Sequence, residues 1–213
     1  MSDRLPFPPL VLAVAGCSGS GKTTLAAEVA RTLGGLHFHF DNYYRDLSHL
    51  APELRAVQDF DDPAILEIEL LRDHVAALAR GEVVERPFYD FATHTRVAGK
   101  TEPIVARELL VVEGILALHY QELLPFYQAK VFVETPEELC LERRLRRDIA
   151  ERGRSRESVL AQYAATVKPA AERFVMPSAA VADLVIDGRD ELDWKVEQVY
   201  ALLRQRSLWR FPE

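Results

Sequence analysis

Gly16 to Thr23, GCSGSGKT, place three glycines, a lysine and a closing hydroxyl at the Gly-x4-Gly-Lys-Ser/Thr spacing. That spacing suits phosphate. The glycines let backbone N–H groups turn inward at a helix N-terminus, where the macrodipole favours negative charge. Gly16, Ser18, Gly19, Ser20, Gly21, Lys22, Thr23 and Thr24 are the expected nucleotide cradle, with Lys22 on the outer phosphates and the Thr23 hydroxyl on Mg²⁺. A valine-rich apolar run, PLVLAVAG, leads in and the helically spaced TTLAAEVARTLGG leads out, which weighs against a chance Gly/Ser turn. Cys17 sits inside the loop; a reactive thiol is one reading and a small filler the favoured one.

Other chemistry-bearing residues fall at strand ends and in one helix. Glu113 closes LLVVEG, where open α/β sheets put their ligands, and suits a metal ligand beside Thr23. Asp41, in FDNYYRD, is placed to take a proton from an acceptor hydroxyl or to orient it, with a turn cap as the alternative. Arg143, Arg144, Arg146, Arg147, Arg152, Arg154 and Arg156 crowd fourteen residues. A charge run is usually a solvated face, and Glu137, Glu138 and Glu142 are candidate partners for part of it. Yet Arg152 and Arg154 flank a glycine stop, which suits a lid closing on phosphates, so about half of the seven are assigned to the site. His37 and His39 alternate on one strand face, but the sequence places no third metal ligand, so a polar face is expected. The stretch PFYDFATHTR leaves core and stacking wall almost evenly matched on composition.

The elements that must carry these residues alternate. LVLAVAG, LHFHF, ELLVVEGI, KVFVETP and ADLVID read as strands, with Leu36, Phe38 and Phe40 on one face of the second. Between them lie helices over TTLAAEVARTL, PAILEIELLRDHVAALARG (proline in its first turn), PEELCLERRLRRDIAERG, SRESVLAQYAATVKPAAERFV (interrupted at Pro169) and ELDWKVEQVYALLRQRS. Asp41 to Asp62 is a long loop with short helical pieces at most. EVVERPFYDF and THTRVAGKTEPIVA form a hairpin turning near Ala98 to Lys100, outside the main sheet, and that position favours the stacking wall. The expected fold is α/β: a doubly wound, P-loop NTPase-type parallel sheet of about five strands flanked by helices, with an inserted β-hairpin and an arginine-rich lid. One domain spans 1–213, with the hairpin at 82–106 forming part of the acceptor site.

Composition bounds the rest. The chain has 213 residues and a net charge of −7, which argues against a general nucleic-acid or anionic-membrane binder. Two distant cysteines, no leader layout in the opening residues and no apolar run long enough to span a bilayer give a cytoplasmic reading. A guanine-specific switch of the usual kind needs an Asn-Lys-x-Asp reader, and Asn42 is the only asparagine.

GCSGSGKTT, DNYYRDL, DFDDP, PFYDFATHTR, VVEGIL, VFVETP, RRDIAERGRS, AQY and YAATVKPAAERFVMPS together resemble the uridine–cytidine kinases almost end to end. YDF-x-x-H-T-R and RDI-x-ERGR are particular to that family. The resemblance implies transfer of the γ-phosphoryl of ATP or GTP, with Mg²⁺, to the 5'-hydroxyl of uridine or cytidine in pyrimidine salvage, by a homo-oligomer that is a tetramer in many members. It implies a catalytic role for Asp41 beside Lys22, Arg147 and Arg152, and a metal environment of Thr23, Glu113 and Asp41. Tyr44 matches the tyrosine near the acceptor hydroxyl. Asp61 and Arg144 match ribose-side residues, and Phe60, Tyr89, Phe91 and His94 the pyrimidine pocket. Arg154 and Gln162 match further acceptor-site residues. His94 can donate or accept, so it can meet O4 of uracil or N4 of cytosine.

Three departures stand out: the form of the phosphate loop, Asp62 where histidine is usual beside the ribose site, and IDGRDELD near the expected donor base, which leaves ATP against GTP open. The alternative kinase reading is a phosphoribulokinase- or pantothenate-kinase-like enzyme for another small alcohol. An NTP-bound regulatory protein is the non-enzyme alternative; it would leave Asp61 and the hairpin without purpose.

Overall fold

The computed structural model describes residues 7–211; the six residues ahead of them, part of the stretch read as lacking a leader, lie outside the described residues. β1 (Leu10–Gly16) is buried along its whole length. Its alternate residues serve two cores: Val11, Ala13 and Ala15 face one side, Leu10, Leu12 and Val14 the other. A strand apolar on both faces is what a central parallel strand requires.

Around β1 the sheet runs β2-β5-β1-β6-β7, all parallel, with β2 (Leu36–His39), β5 (Leu109–Glu113), β6 (Ala129–Glu134) and β7 (Leu184–Asp187). This is the expected five-stranded, doubly wound fold. α1 (Lys22–Thr32) follows β1 and packs with the C-terminal helix on one face, burying Leu25, Val29, Val199 and Leu203. The other face is covered by α3 (Ile68–Ala79), through Leu71, Val75 and Leu78, and by the hairpin, through Val84 and Ile104. Among the described residues no helix is long and apolar enough to cross a membrane.

Several boundaries differ from expectation. β2 stops at His39, and Phe40 opens a 3₁₀ turn, Phe40–Tyr43, so Phe40 is core from a turn rather than from the strand. Pro63 does not open α3. The Asp62 carboxylate caps a separate 3₁₀ turn, Pro63–Ile65, by accepting from the Ala64 N–H at 2.7 Å. Asp62 therefore turns away from the cleft that Asp61 lines. The long loop contains α2 (Pro52–Ala56) and little else that is regular.

The hairpin pairs β3 (Val83–Asp90) with β4 (Thr95–Val105), and its turn lies at Phe91 to His94, not at Ala98 to Lys100. The Asp90 carboxylate fixes that turn, accepting from the Ala92 N–H and the Thr93 hydroxyl at 2.9 Å each, and His94 takes a positive φ of 53°. Register passes from Pro87↔Thr101 to Tyr89↔Arg96, so Val97 to Lys100 bulge opposite Phe88. The Gly-Lys signal marked a bulge, which uses the same residue types as a turn.

α4 (Glu137–Arg152) ends on Gly153 in the left-handed region at φ 62°. α5 (Arg156–Gln162) passes into a wide π-turn (Tyr163–Val167), α6 (Lys168–Ala170) and a second wide turn (Ala171–Val175). Pro169 thus sits in continuous helical chain, where wide turns absorb the missing N–H rather than a break. α7 (Leu192–Gln205) closes the fold.

Candidate active site

β1, β2 and β5 all end at one edge of the sheet. Parallel register sets Glu113 beside Val14 on one side and His39 on the other. The 3₁₀ turn that ends β2 delivers Asp41 to the same edge. A cleft of about 490 Å³ opens there.

The phosphate loop forms its back wall. Gly19 shows why glycine is needed: at φ 86°, an added Cβ would lie 2.3 Å from the Cys140 carbonyl oxygen. Arg143 buttresses the loop from behind, donating to the Ser20 carbonyl at 3.3 Å and to the Gly188 carbonyl at 3.2 Å. This ties IDGRDELD to the loop's outer side. Ser18, Lys22 and Thr23 line the cleft, whereas Gly16, Gly19, Ser20, Gly21 and Thr24 shape the loop without lining it. Burial raises the Cys17 thiol above its ordinary pKa, so the small-filler reading is the better one.

Next to the loop stands a set of oxygen donors. The Thr23 hydroxyl lies 3.3 Å from both Glu113 carboxylate oxygens. Burial pushes the Glu113 carboxyl up, but a hydrogen bond from His39 and the charge of Lys22 outweigh it and hold it below its ordinary value. The Asp41 carboxyl is raised, by burial first and by the Glu113 charge second. Two carboxylates repelling one another beside a hydroxyl form a donor set that fits Mg²⁺, a hard cation taking oxygen ligands.

The opposite wall is aromatic. Tyr89 and Phe91 meet edge-on at 5.1 Å, Tyr89 and Tyr44 are tilted at 5.2 Å, Tyr44 and Phe60 meet edge-on at 5.3 Å, and Phe60 stacks with His94 at 5.5 Å. Three chain segments thus give one ring cluster, and all five rings line the cleft. Phe88, from the same hairpin, faces outward under the Lys100 ammonium and takes no part. Asp61 closes the floor, 7% exposed, its carboxyl raised chiefly by burial and also by Asp59.

The lid carries the residue that sequence reasoning missed. Asp148, fully buried, stands among four guanidiniums: Arg147 at 2.9 Å, Arg152 at 3.3 Å, Arg144 at 3.6 Å and Arg154 at 3.8 Å. Its carbonyl also accepts from the N–H groups of Gly153 and Arg154, so one residue ends the helix and gathers its arginines. Arg144 further donates to the Ser18 hydroxyl at 2.9 Å and to Gln162 at 3.1 Å, and Arg154 shares the same Gln162 oxygen. Arg144, Arg147, Arg152 and Arg154 line the cleft, while Arg146 is exposed on Glu142. Glu137 pairs with Lys168 instead of with an arginine. The available signal was spacing: Asp148 lies one turn from both Arg144 and Arg152.

His37 and His39, expected as a polar face only, do meet a third donor. His39 Nδ1 lies 2.7 Å from Glu113 Oε1 and His37 Nε2 lies 3.9 Å from it.

A family model, "Phosphoribulokinase / Uridine kinase family", matches residues 11–193. A protein named uridine kinase from Chloroflexus aggregans is 43% identical over 200 residues, covering 92% of this chain and 95% of that one. One of the same name from Alkaliphilus metalliredigens is 36% identical over 206 residues, covering 93% and 99%. Among solved structures, "a Possible Uridine Kinase" from Bacillus stearothermophilus superposes with a TM-score of 0.61 at 21% identity, over 87% of this chain and 92% of that one, a likeness of fold.

Two measurements test the site's electrostatics. Asp148→Asn keeps the shape but removes the anion from among the guanidiniums, and breaking a buried ion pair costs about 3–5 kcal/mol. Its melting temperature should fall by roughly 6 °C or more, and the stabilisation that pyrophosphate gives should exceed that of the parent. Equal pyrophosphate shifts would mean that Asp148 does not neutralise the arginines. Asp61→Asn should stabilise the protein at pH 7, read as a raised melting temperature. A carboxyl raised in the fold costs nothing below its ordinary value of 3.8, and the cost grows as pH climbs towards the folded value. The advantage of asparagine should therefore vanish near pH 3.5 in melting curves taken across pH.

Proposed function

The chain belongs to the phosphoribulokinase/uridine kinase family, and from that premise we propose that it is a nucleoside kinase acting on the 5'-hydroxyl of uridine or cytidine. The donor is ATP or GTP, bound with Mg²⁺, and the role is pyrimidine salvage. One observation carries this reading: the five-ring wall, Asp41 and the phosphate loop share a single cleft. A kinase of a small acyclic alcohol or a sugar phosphate has no use for such a wall.

In this reading the backbone of residues 16–24 and Lys22 hold the triphosphate, and Thr23, Glu113 and Asp41 hold Mg²⁺. When bound, the ion neutralises charge on the transferring phosphoryl. A base stacks within the ring cluster, worth roughly 1–3 kcal/mol per base. His94 meets its polar edge; burial first and the nearby Arg154 and Arg152 next lower its pKa, so it is neutral at pH 7 and can donate at one nitrogen and accept at the other. Asp61 and Arg144 take the ribose hydroxyls, and Arg154 and Gln162 support the acceptor. Asp41, beside Tyr44, aligns the 5'-hydroxyl and receives its proton. Arg147 and Arg152 meet the phosphoryl as it moves in line.

The decisive experiment is Mg²⁺-dependent ADP or GDP release against a panel of nucleosides, phosphoribulose and pantothenate. Uridine or cytidine should stimulate it, and His94→Ala should raise the nucleoside KM at least tenfold. Stimulation by neither pyrimidine nucleoside overturns the proposal. Asp41→Asn should lower kcat by at least 10³ while ATP affinity, read by calorimetry, stays within about threefold. Loss of ATP binding would make Asp41 structural instead.

A further inference from the structure

His37 and His39 have no part in the proposed transfer, yet their placement is specific. Alternation along β2 puts both rings on one face, with centroids 3.9 Å apart. The β2–β5 register then sets Glu113 directly beside His39. One donor atom from each of the three residues lies within 4.8 Å of the others. His37 Nε2 is buried, has no hydrogen-bond partner, and lies 3.9 Å from the Glu113 oxygen. A buried imidazole nitrogen turned towards a buried carboxylate and bonded to no protein group is a donor available to a bridging ion.

We propose that His37, His39 and Glu113 bind one borderline divalent cation of the Zn²⁺ class, separate from the Mg²⁺ position. Two imidazoles and one carboxylate are the three protein ligands of a common open zinc site, whose fourth position is left to water. With bonds near 2.0–2.1 Å, tetrahedral donors stand about 3.3 Å apart. The two histidine separations from the Glu113 oxygen, 2.7 Å and 3.9 Å, bracket that spacing, and the two histidine nitrogens lie within 4.8 Å of each other. Side-chain shifts on the order of 1 Å therefore bring the three donors to it. Nitrogen donors exclude Mg²⁺, which takes oxygen ligands in octahedral geometry. Lys22 stands near Glu113 and Arg86 near His37, and both oppose a second cation. Arg86 is held by Glu102 at 2.6 Å, and Asp41 adds a negative charge on the Glu113 side.

The site has a consequence. Glu113 is also the carboxylate that faces Thr23, so an ion held by the two histidines draws it away from the oxygen donor set. On the kinase reading above, such an ion inhibits Mg²⁺-supported turnover.

The test separates binding from activity. Co²⁺ is titrated into chelator-treated full-length protein with no nucleotide and no Mg²⁺, and its visible d–d absorption is followed. One equivalent should bind saturably and be displaced by Zn²⁺. His37→Ala and the bulkier His37→Gln should each weaken binding at least tenfold, with melting temperatures showing that both variants fold. Binding unchanged in the folded variants, the thiolate charge-transfer absorption of ligation by Cys17 or Cys140, or no saturable signal in the parent overturns the proposal. Turnover then tests the coupling: His37→Ala should keep parental activity within twofold and need at least tenfold more Zn²⁺ for half-inhibition. Unchanged inhibition in a variant that has lost Co²⁺ binding overturns the coupling through Glu113. Because the binding arm uses no substrate, it stands even if the pyrimidine assignment falls.

Discussion

Everything on the lid side of the cleft depends on one buried anion. Four guanidiniums cannot converge without a counter-charge, since like charges at this range repel by amounts comparable to the stability of a domain. Asp148 supplies the charge from inside the helix that bears three of the four arginines. The same residue's carbonyl takes the capping N–H groups of Gly153 and Arg154, which returns Arg154 to the cluster. Helix termination and charge placement are thus one structural event. The pairing is incomplete: Asp148 Oδ2 and Arg144 Nε have no hydrogen-bond partner. Arg144 is thus held on Asp148 by charge at 3.6 Å, while its other two nitrogens donate to Ser18 and Gln162.

The sheet plays the corresponding part for the carboxylates. Parallel strands deliver their C-terminal ends to one edge, so residues distant in sequence become neighbours through register alone. Glu113 meets Thr23 across 90 positions and His39 across 74. The loop bends tightly enough to receive phosphate because Gly19 lets the Cys140 carbonyl approach. Burial of β1 on both faces makes this edge rigid, with side chains packed from two cores.

What was legible in the sequence divides by the range of the interactions involved. The strands, the phosphate loop and the Gly153 stop follow from local patterns of burial, glycine placement and capping, and they sit where those patterns put them. The hairpin turn was misplaced because Ala98-Gly99-Lys100 satisfies bulge and turn equally, and only the Asp90 carboxylate on Ala92 and Thr93 decides between them. Asp148 was hidden because an acid within an arginine run reads as one more surface charge. Its burial depends on Gln162 and Ser18 holding Arg144 from elsewhere in the chain. The third partner of His37 and His39 was hidden for the same reason, since β5 lies more than seventy residues away.

The unliganded cleft holds charges of both signs in states the fold disfavours. Burial raises Asp41 and Asp61; it also lowers Arg152, together with the adjacent Arg147 charge. Groups already desolvated and aimed need no reorganisation when a ligand arrives, and that is how preorganised electrostatics lowers a barrier. The same groups cost stability while the cleft is empty. The aromatic cluster offsets part of that cost. Its rings pack against one another around the buried Tyr89, and Arg152 lies over the Phe91 ring at 5.8 Å. Phe91 thereby joins the wall to the lid through a side chain that belongs to neither the phosphate loop nor the sheet.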